Sequence, residues 1–126
     1  MTWPLPGGIA GVATCYDLRF PEQFRGLIDA GASMFVVCAS WPQRRVPHWR
    51  LLTAARAVEN LAFVVAVGAC GTQLGVVQGG ESVVVDPWGE TLALAGRTET
   101  VLDVEIDLAR VAAVRKEFPA LQDRRL

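Results

Sequence analysis

The sequence has one histidine, one tyrosine and, among its twelve basic residues, a single lysine, Lys116. Its cysteines, Cys15, Cys38 and Cys70, are odd in number and widely spaced. A zinc centre would be short of ligands, and a disulfide framework has nothing to build on. No metal and no cofactor are expected. The net charge is −1, and no basic stripe interleaves with aromatics, which argues against a nucleic-acid partner. No apolar run approaches the roughly 20 residues needed to span a bilayer, so no membrane partner is expected. The opening stretch MTWPLPGGIAG has no basic start and carries two prolines where a signal peptide needs an apolar helix. Free thiols then lead us to expect a reducing cytoplasm.

What is present is apolar: 52% of the 126 residues, ample for one buried core. Ile9 to Thr14 reads as a short buried strand ending at Cys15. Pro21 and Glu22 suit the first turn of a helix, and Gly31 suits its C′ position. MFVVCA (34–39) and AFVVAVGA (62–69) are continuous apolar runs of the kind buried in mid-sheet. Between them, Pro42 and Pro47 bracket a loop, and a helix follows from Pro47 with an apolar stripe through Leu51, Leu52, Ala55 and Val58. Residues 70–80, with four glycines, read as a loop. The DPWG at 86–89 predicts a turn between two β runs. TVLDVEID (100–107) reads as a further strand, and Asp107 as the cap of a last helix that Pro119 ends. The order is β-α-β-α-β, then a hairpin, a strand and a helix: an α/β layer with a mixed sheet.

Cys15 stands where open α/β sheets place their ligand sites, at the carboxyl end of a strand. Arg19, four residues on, is near enough in sequence to favour a thiolate, and the Tyr16 backbone N–H could face an oxyanion formed by attack at the sulfur. The plainer reading is a small core hydrophobe. Cys38 and Cys70 are expected to be packing residues. His48 is the one partner for a Cys–His pair, but beside Trp49 at the start of a helix it better suits fixing a loop. RAVEN (56–60) is explained by a buried ion pair or a helix C-cap. Trp41 is either pocket lining or a surface aromatic.

CYDLRFPE, SWPQRRVPHWRLLTAARAVEN, GGESVVVDPWGE and EFPALQDRR, in this order and spacing, resemble the nitrilase superfamily of carbon–nitrogen hydrolases, and its ω-amidase-like branch most. The resemblance implies a nitrilase-type α-β-β-α sandwich, of which residues 1–126 are expected to form one incomplete, C-terminal portion. It implies a homo-oligomer, with the helix from Pro21 in the dimer surface. It also implies amide hydrolysis through a cysteine thioester, with a glutamate base and an oxyanion-stabilising lysine. The substrate class is a small dicarboxylic acid monoamide such as 2-oxoglutaramate; N-carbamoyl amide or nitrile hydrolysis and acyl transfer are the other branches. By motif, the nucleophile falls on Cys15, with the Tyr16 amide at the oxyanion. Arg45, beside Trp41, is the candidate partner of the substrate's distal carboxylate. The implied glutamate and lysine lie before the cysteine, yet none of the fourteen residues preceding Cys15 is charged. The isolated chain is therefore expected to be inactive and to leave one face of its sheet uncovered. A rival expectation follows: a half-domain that acts only through association.

Overall fold

The computed structural model describes residues 1–125. Strand β1 (Thr2–Leu5) turns at Gly7 into β2 (Gly8–Thr14), and the two pair antiparallel. Helix α1 (Pro21–Asp29) crosses to β3 (Met34–Ala39), and α2 (Val46–Asn60) crosses to β4 (Phe63–Gly68). Strands β2, β3 and β4 are parallel, with Val12 beside Val36 and Val36 beside Val65. A two-stranded ribbon of β5 (Thr72–Gln73) and β6 (Val76–Val77) interrupts the glycine-rich loop. The chain then forms the hairpin β7 (Val83–Val85) and β8 (Thr91–Leu94), in which β7 pairs antiparallel with β4 and β8 antiparallel with β7. The six-stranded sheet has the order β1-β2-β3-β4-β7-β8, mixed as expected. Helix α3 (Ala109–Glu117) follows.

Local chemistry sets the boundaries. Pro21 occupies the first turn of α1, and Gly31 takes the left-handed conformation past its end (φ 89°). The Asp86 carbonyl accepts the Gly89 N–H at 3.0 Å, closing the expected turn. One Asp86 carboxylate oxygen holds the N–H groups of Trp88 and Glu90, and the other takes Arg110 of α3 at 3.0 Å. Asp107 accepts the Ala109 N–H at 2.9 Å and so caps α3.

The core lies between the sheet and the two crossover helices. Phe24 and Leu27 of α1 and Trp49 and Ala57 of α2 meet Phe35, Val37, Val64 and Ala66 of the sheet. Phe24 and Phe35 meet edge to face at 5.0 Å. Gly11 permits this closeness, since a Cβ there would lie 2.9 Å from Leu27 Cδ1. The opposite face is open, as expected. Val12, Val36 and Val65 are half-buried there, and Cys38 and Val67 are exposed.

Three expectations fail. TVLDVEID forms no strand: residues 101–107 alternate half-buried and exposed, but no described backbone offers them a ladder. Period-two burial is necessary for a strand and does not suffice. Cys38 is not a packing residue, because alternation along β3 turns it away from the helices. The buried stripe of α2 is Trp49, Thr53, Arg56, Ala57 and Asn60, while Leu51 and Val58 face outward. Polar residues occupy the buried stripe because their donors find partners, although the Asn60 Oδ1 is left without one. Trp49 Nε1 donates to the Glu81 carbonyl at 2.8 Å, Thr53 donates to the Trp49 carbonyl, and Arg56 reaches across to α1's approach turn. Beyond these, the proline-bearing N-terminus, for which no element is predicted, is a strand, and Pro4 is tolerated because β1 is the sheet edge.

Candidate active site

Parallel strands end on the same side, so β2, β3 and β4 deliver Cys15, Ser40 and Ala69 to one rim of the sheet. Cys15 opens a 3₁₀ turn, Cys15–Arg19, in which it adopts φ 46°. That is left-handed backbone, which a side chain with a Cβ disfavours by about 1–2 kcal/mol. Strain of this kind persists only where neighbours over-determine it, and it gathers at functional sites. A nucleophile on a sharp strand-to-helix turn is one such use, because the turn lifts the side chain clear of the strand.

The neighbours that impose it are visible. Asp17 Oδ2 accepts the Thr14 N–H at 2.9 Å and the Gln23 amide at 3.2 Å, tying the turn to the strand before it and the helix after it. From beneath, the Arg56 guanidinium donates twice to the Leu18 carbonyl, at 3.1 and 2.7 Å, and pairs with Glu59 at 2.8 Å. RAVEN thus holds the ion pair expected of it, and its arginine props up the turn. The Cys15 Sγ–H donates to the Ser40 carbonyl at 3.6 Å, and the thiol is partly exposed. Tyr16 is the second residue of the turn, where an N–H has no partner within the helix, and its ring is exposed.

Sequence reasoning missed the polar rim beside the thiol. The Ser40 hydroxyl reaches the side-chain oxygens of Gln73 at 2.9 Å and Gln78 at 3.0 Å. Ser40 directly follows β3, and the glutamines follow β4, so position at strand ends was the available signal.

Arg19 does not turn toward the thiol. Its guanidinium lies 5.0 Å from the centre of the Trp41 ring and donates to His48 Nδ1 at 3.2 Å. His48 therefore anchors an arginine instead of a loop carbonyl, and no hydrogen bond joins it to Cys15 among the described residues. Trp41 is buried against Trp49, their rings 5.6 Å apart, and its Nε1 donates to the Arg45 carbonyl at 2.7 Å. The Arg45 side chain faces a neighbouring cleft.

Two groups that the chemistry would recruit are otherwise engaged. Glu81 is buried and held by Arg50 through two bonds, at 2.7 and 2.5 Å; that hydrogen bonding keeps its carboxyl below the usual range despite burial. Lys116 sits on α3, whose Arg115 bonds the carbonyls of Ala32, Asn60 and Leu61, just before β3 and β4 begin. The thiol is at the other end of those strands, roughly 20 Å away at about 3.3 Å per residue. Among the described residues no group of three or more metal-ligating side chains gathers, and no helix is long and apolar enough to cross a membrane.

A family model for carbon-nitrogen hydrolases matches residues 3–116. The chain is 43% identical over 117 residues to a 2-oxoglutaramate amidase of Paenarthrobacter nicotinovorans, covering 93% of this chain and 40% of that protein. The crystal structure of a CN-hydrolase superfamily protein from Xanthomonas campestris, with an arsenic adduct in its active site, matches with a TM-score of 0.93 at 31% identity. That match covers all of this chain and 50% of the other. A variant amidase from Nesterenkonia sp. AN1, carrying the acetamide moiety of fluoroacetamide on its active-site cysteine, matches with a TM-score of 0.82 at 32% identity. It covers 99% of this chain and 44% of the other. The chain thus spans half or less of the length of these relatives, and within that span sequence and fold agree nearly from end to end. It belongs to the carbon-nitrogen hydrolase family.

Proposed function

We propose that Cys15 is the nucleophile of an amidase that cleaves the terminal amide of a short dicarboxylic acid monoamide, 2-oxoglutaramate being the type. The thiolate attacks the amide carbon, and the oxygen of the tetrahedral intermediate is held by the Tyr16 N–H. The C–N bond breaks, ammonia leaves with a proton from an acid, and water hydrolyses the thioester. The observation that carries the reading is the left-handed backbone of Cys15 at the rim of three parallel strands, which presents the thiol beside Ser40 and the two glutamines. The amidases among the relatives support the reaction class, and the cysteine adduct in one of them supports the residue. Arg45 is the proposed partner of the substrate's distal carboxylate. Leu51 and Val58, exposed on the outer side of α2, support a homo-oligomer. Replacing Cys15 by alanine is expected to abolish ammonia release from 2-oxoglutaramate in the active protein; ammonia release at the unaltered rate would refute the assignment.

A second reading has its own support. Glu59 and Glu81 are ion-paired and Lys116 is remote, so the described residues gather neither a base nor a cation at the thiol. Proton transfer by a positioned group contributes about 10²–10⁴-fold and an oxyanion donor about 10²–10³-fold. On this reading the 126-residue chain does not turn over alone and acts through association. Assaying the purified chain by itself distinguishes the two, because turnover there would eliminate the second.

A further inference from the structure

A cleft of about 930 Å³ opens next to the thiol's rim, where Arg44, Arg45, Arg50 and Arg97 converge above an apolar wall that includes Val76 and Val77. Arg50 is satisfied by Glu81. Arg44, Arg45 and Arg97 make no close ion pair or side-chain hydrogen bond among the described residues, and no acidic side chain lines the cleft, although the Glu81 carboxylate that Arg50 holds also feels the charge of Arg97. Four guanidiniums share the single Glu81 carboxylate, so an excess of positive charge remains that an anion between them would offset. Guanidiniums present paired donors that match a carboxylate. The valine wall suits methylene groups more than it suits a fully polar anion.

We infer that this cleft binds a short aliphatic dicarboxylate through Arg44, Arg45 and Arg97. The choice of a dicarboxylate rests on the amidase reading; the cleft itself does not. It adjoins the proposed nucleophile through three consecutive residues. Ser40 offers its carbonyl to the Cys15 thiol, Trp41 fixes the Arg45 carbonyl, and Pro42 lines the cleft. Their Cα atoms span at most about 7.6 Å from Ser40 to Pro42. The cleft and the rim are thus joined by one short stretch of chain.

The test is isothermal titration of the protein with glutarate at low salt, with neutral glutaramide and inorganic phosphate as comparison ligands. Glutarate is expected to bind and glutaramide not to. Arg45→Gln and Arg97→Gln are each expected to weaken glutarate by about tenfold or more, since each removes a charge-assisted contact. These side chains make no close ion pair or hydrogen bond within the fold, so the variants are expected to melt close to the parent protein, and the melting curve checks this. Absence of glutarate binding, phosphate binding as tight as glutarate, or unaltered binding by both variants would each overturn the inference. Glutarate binding without hydrolysis of 2-oxoglutaramate by the full active protein would instead count against the amidase reading alone.

Discussion

The left-handed backbone at Cys15 makes a prediction of unusual sign. Cys15→Ala and Cys15→Gly both remove the thiol, so they differ in the Cβ alone. At most positions glycine is less stable than alanine by roughly 0.5–1 kcal/mol, because it has more freedom to lose on folding. At φ 46°, alanine retains the clash of its Cβ, worth about 1–2 kcal/mol, and glycine is relieved of it. The difference leaves glycine ahead by up to about 1.5 kcal/mol, with about 0.75 kcal/mol as its centre. With a urea m-value of about 2 kcal/mol/M, the midpoint of Cys15→Gly is expected above that of Cys15→Ala by about 0.4 M, and by no more than about 0.75 M. The assay is urea unfolding followed by two probes, to establish that one transition is observed. A glycine variant that unfolds before the alanine variant would mean that the backbone there is ordinary. The strained turn, and with it the main structural argument for a nucleophile, would then be lost.

Two further outcomes are expected. Because Arg50 holds the Glu81 carboxyl below its ordinary value, the unfolded chain binds the proton more readily than the folded one. This contribution is complete above the unfolded carboxylate value, about 4.3, and is lost as pH falls through the lower folded value. Glu81→Gln is expected to flatten the fall in urea midpoint below about pH 4.3, and parallel curves for the two proteins would refute this. Arg56→Ala removes the buried double donor to the Leu18 carbonyl and is expected to destabilise by about 3 kcal/mol, with lysine a poor substitute because it lacks the planar fork. Urea unfolding reads the loss, and faster alkylation of Cys15 reads the loosened turn; a loss under about 1 kcal/mol would mean that water replaces the guanidinium.

Much of this was legible in the sequence wherever one physical cause dominates. The apolar runs at 34–39 and 62–69 became central strands, and Pro21, Gly31 and the DPWG turn marked boundaries through backbone stereochemistry alone. Readings failed where the outcome depends on a distant partner. The alternation at 101–107 could not say whether a neighbouring backbone lies alongside. The face of α2 was misjudged because Thr53 and Asn60 satisfy their donors on the helix's own carbonyls and Arg56 reaches the distant Leu18 carbonyl, so polar residues could take the buried side. At the rim, Cys15 could be singled out by its place after a strand. The left-handed turn, the Ser40–glutamine cluster and the diversion of Arg19 to Trp41 and His48 all arise from contacts between separate segments, for which a linear reading has no measure.

Arg115 reaches from α3 to the carbonyls of Ala32, Asn60 and Leu61, so one guanidinium closes the ends of segments made much earlier in the chain. On the ribosome these carbonyls must wait, hydrated, until α3 has left the exit tunnel. The helical layer on the sheet is therefore expected to gain its final protection from amide exchange only once α3 has emerged to lock elements already laid down.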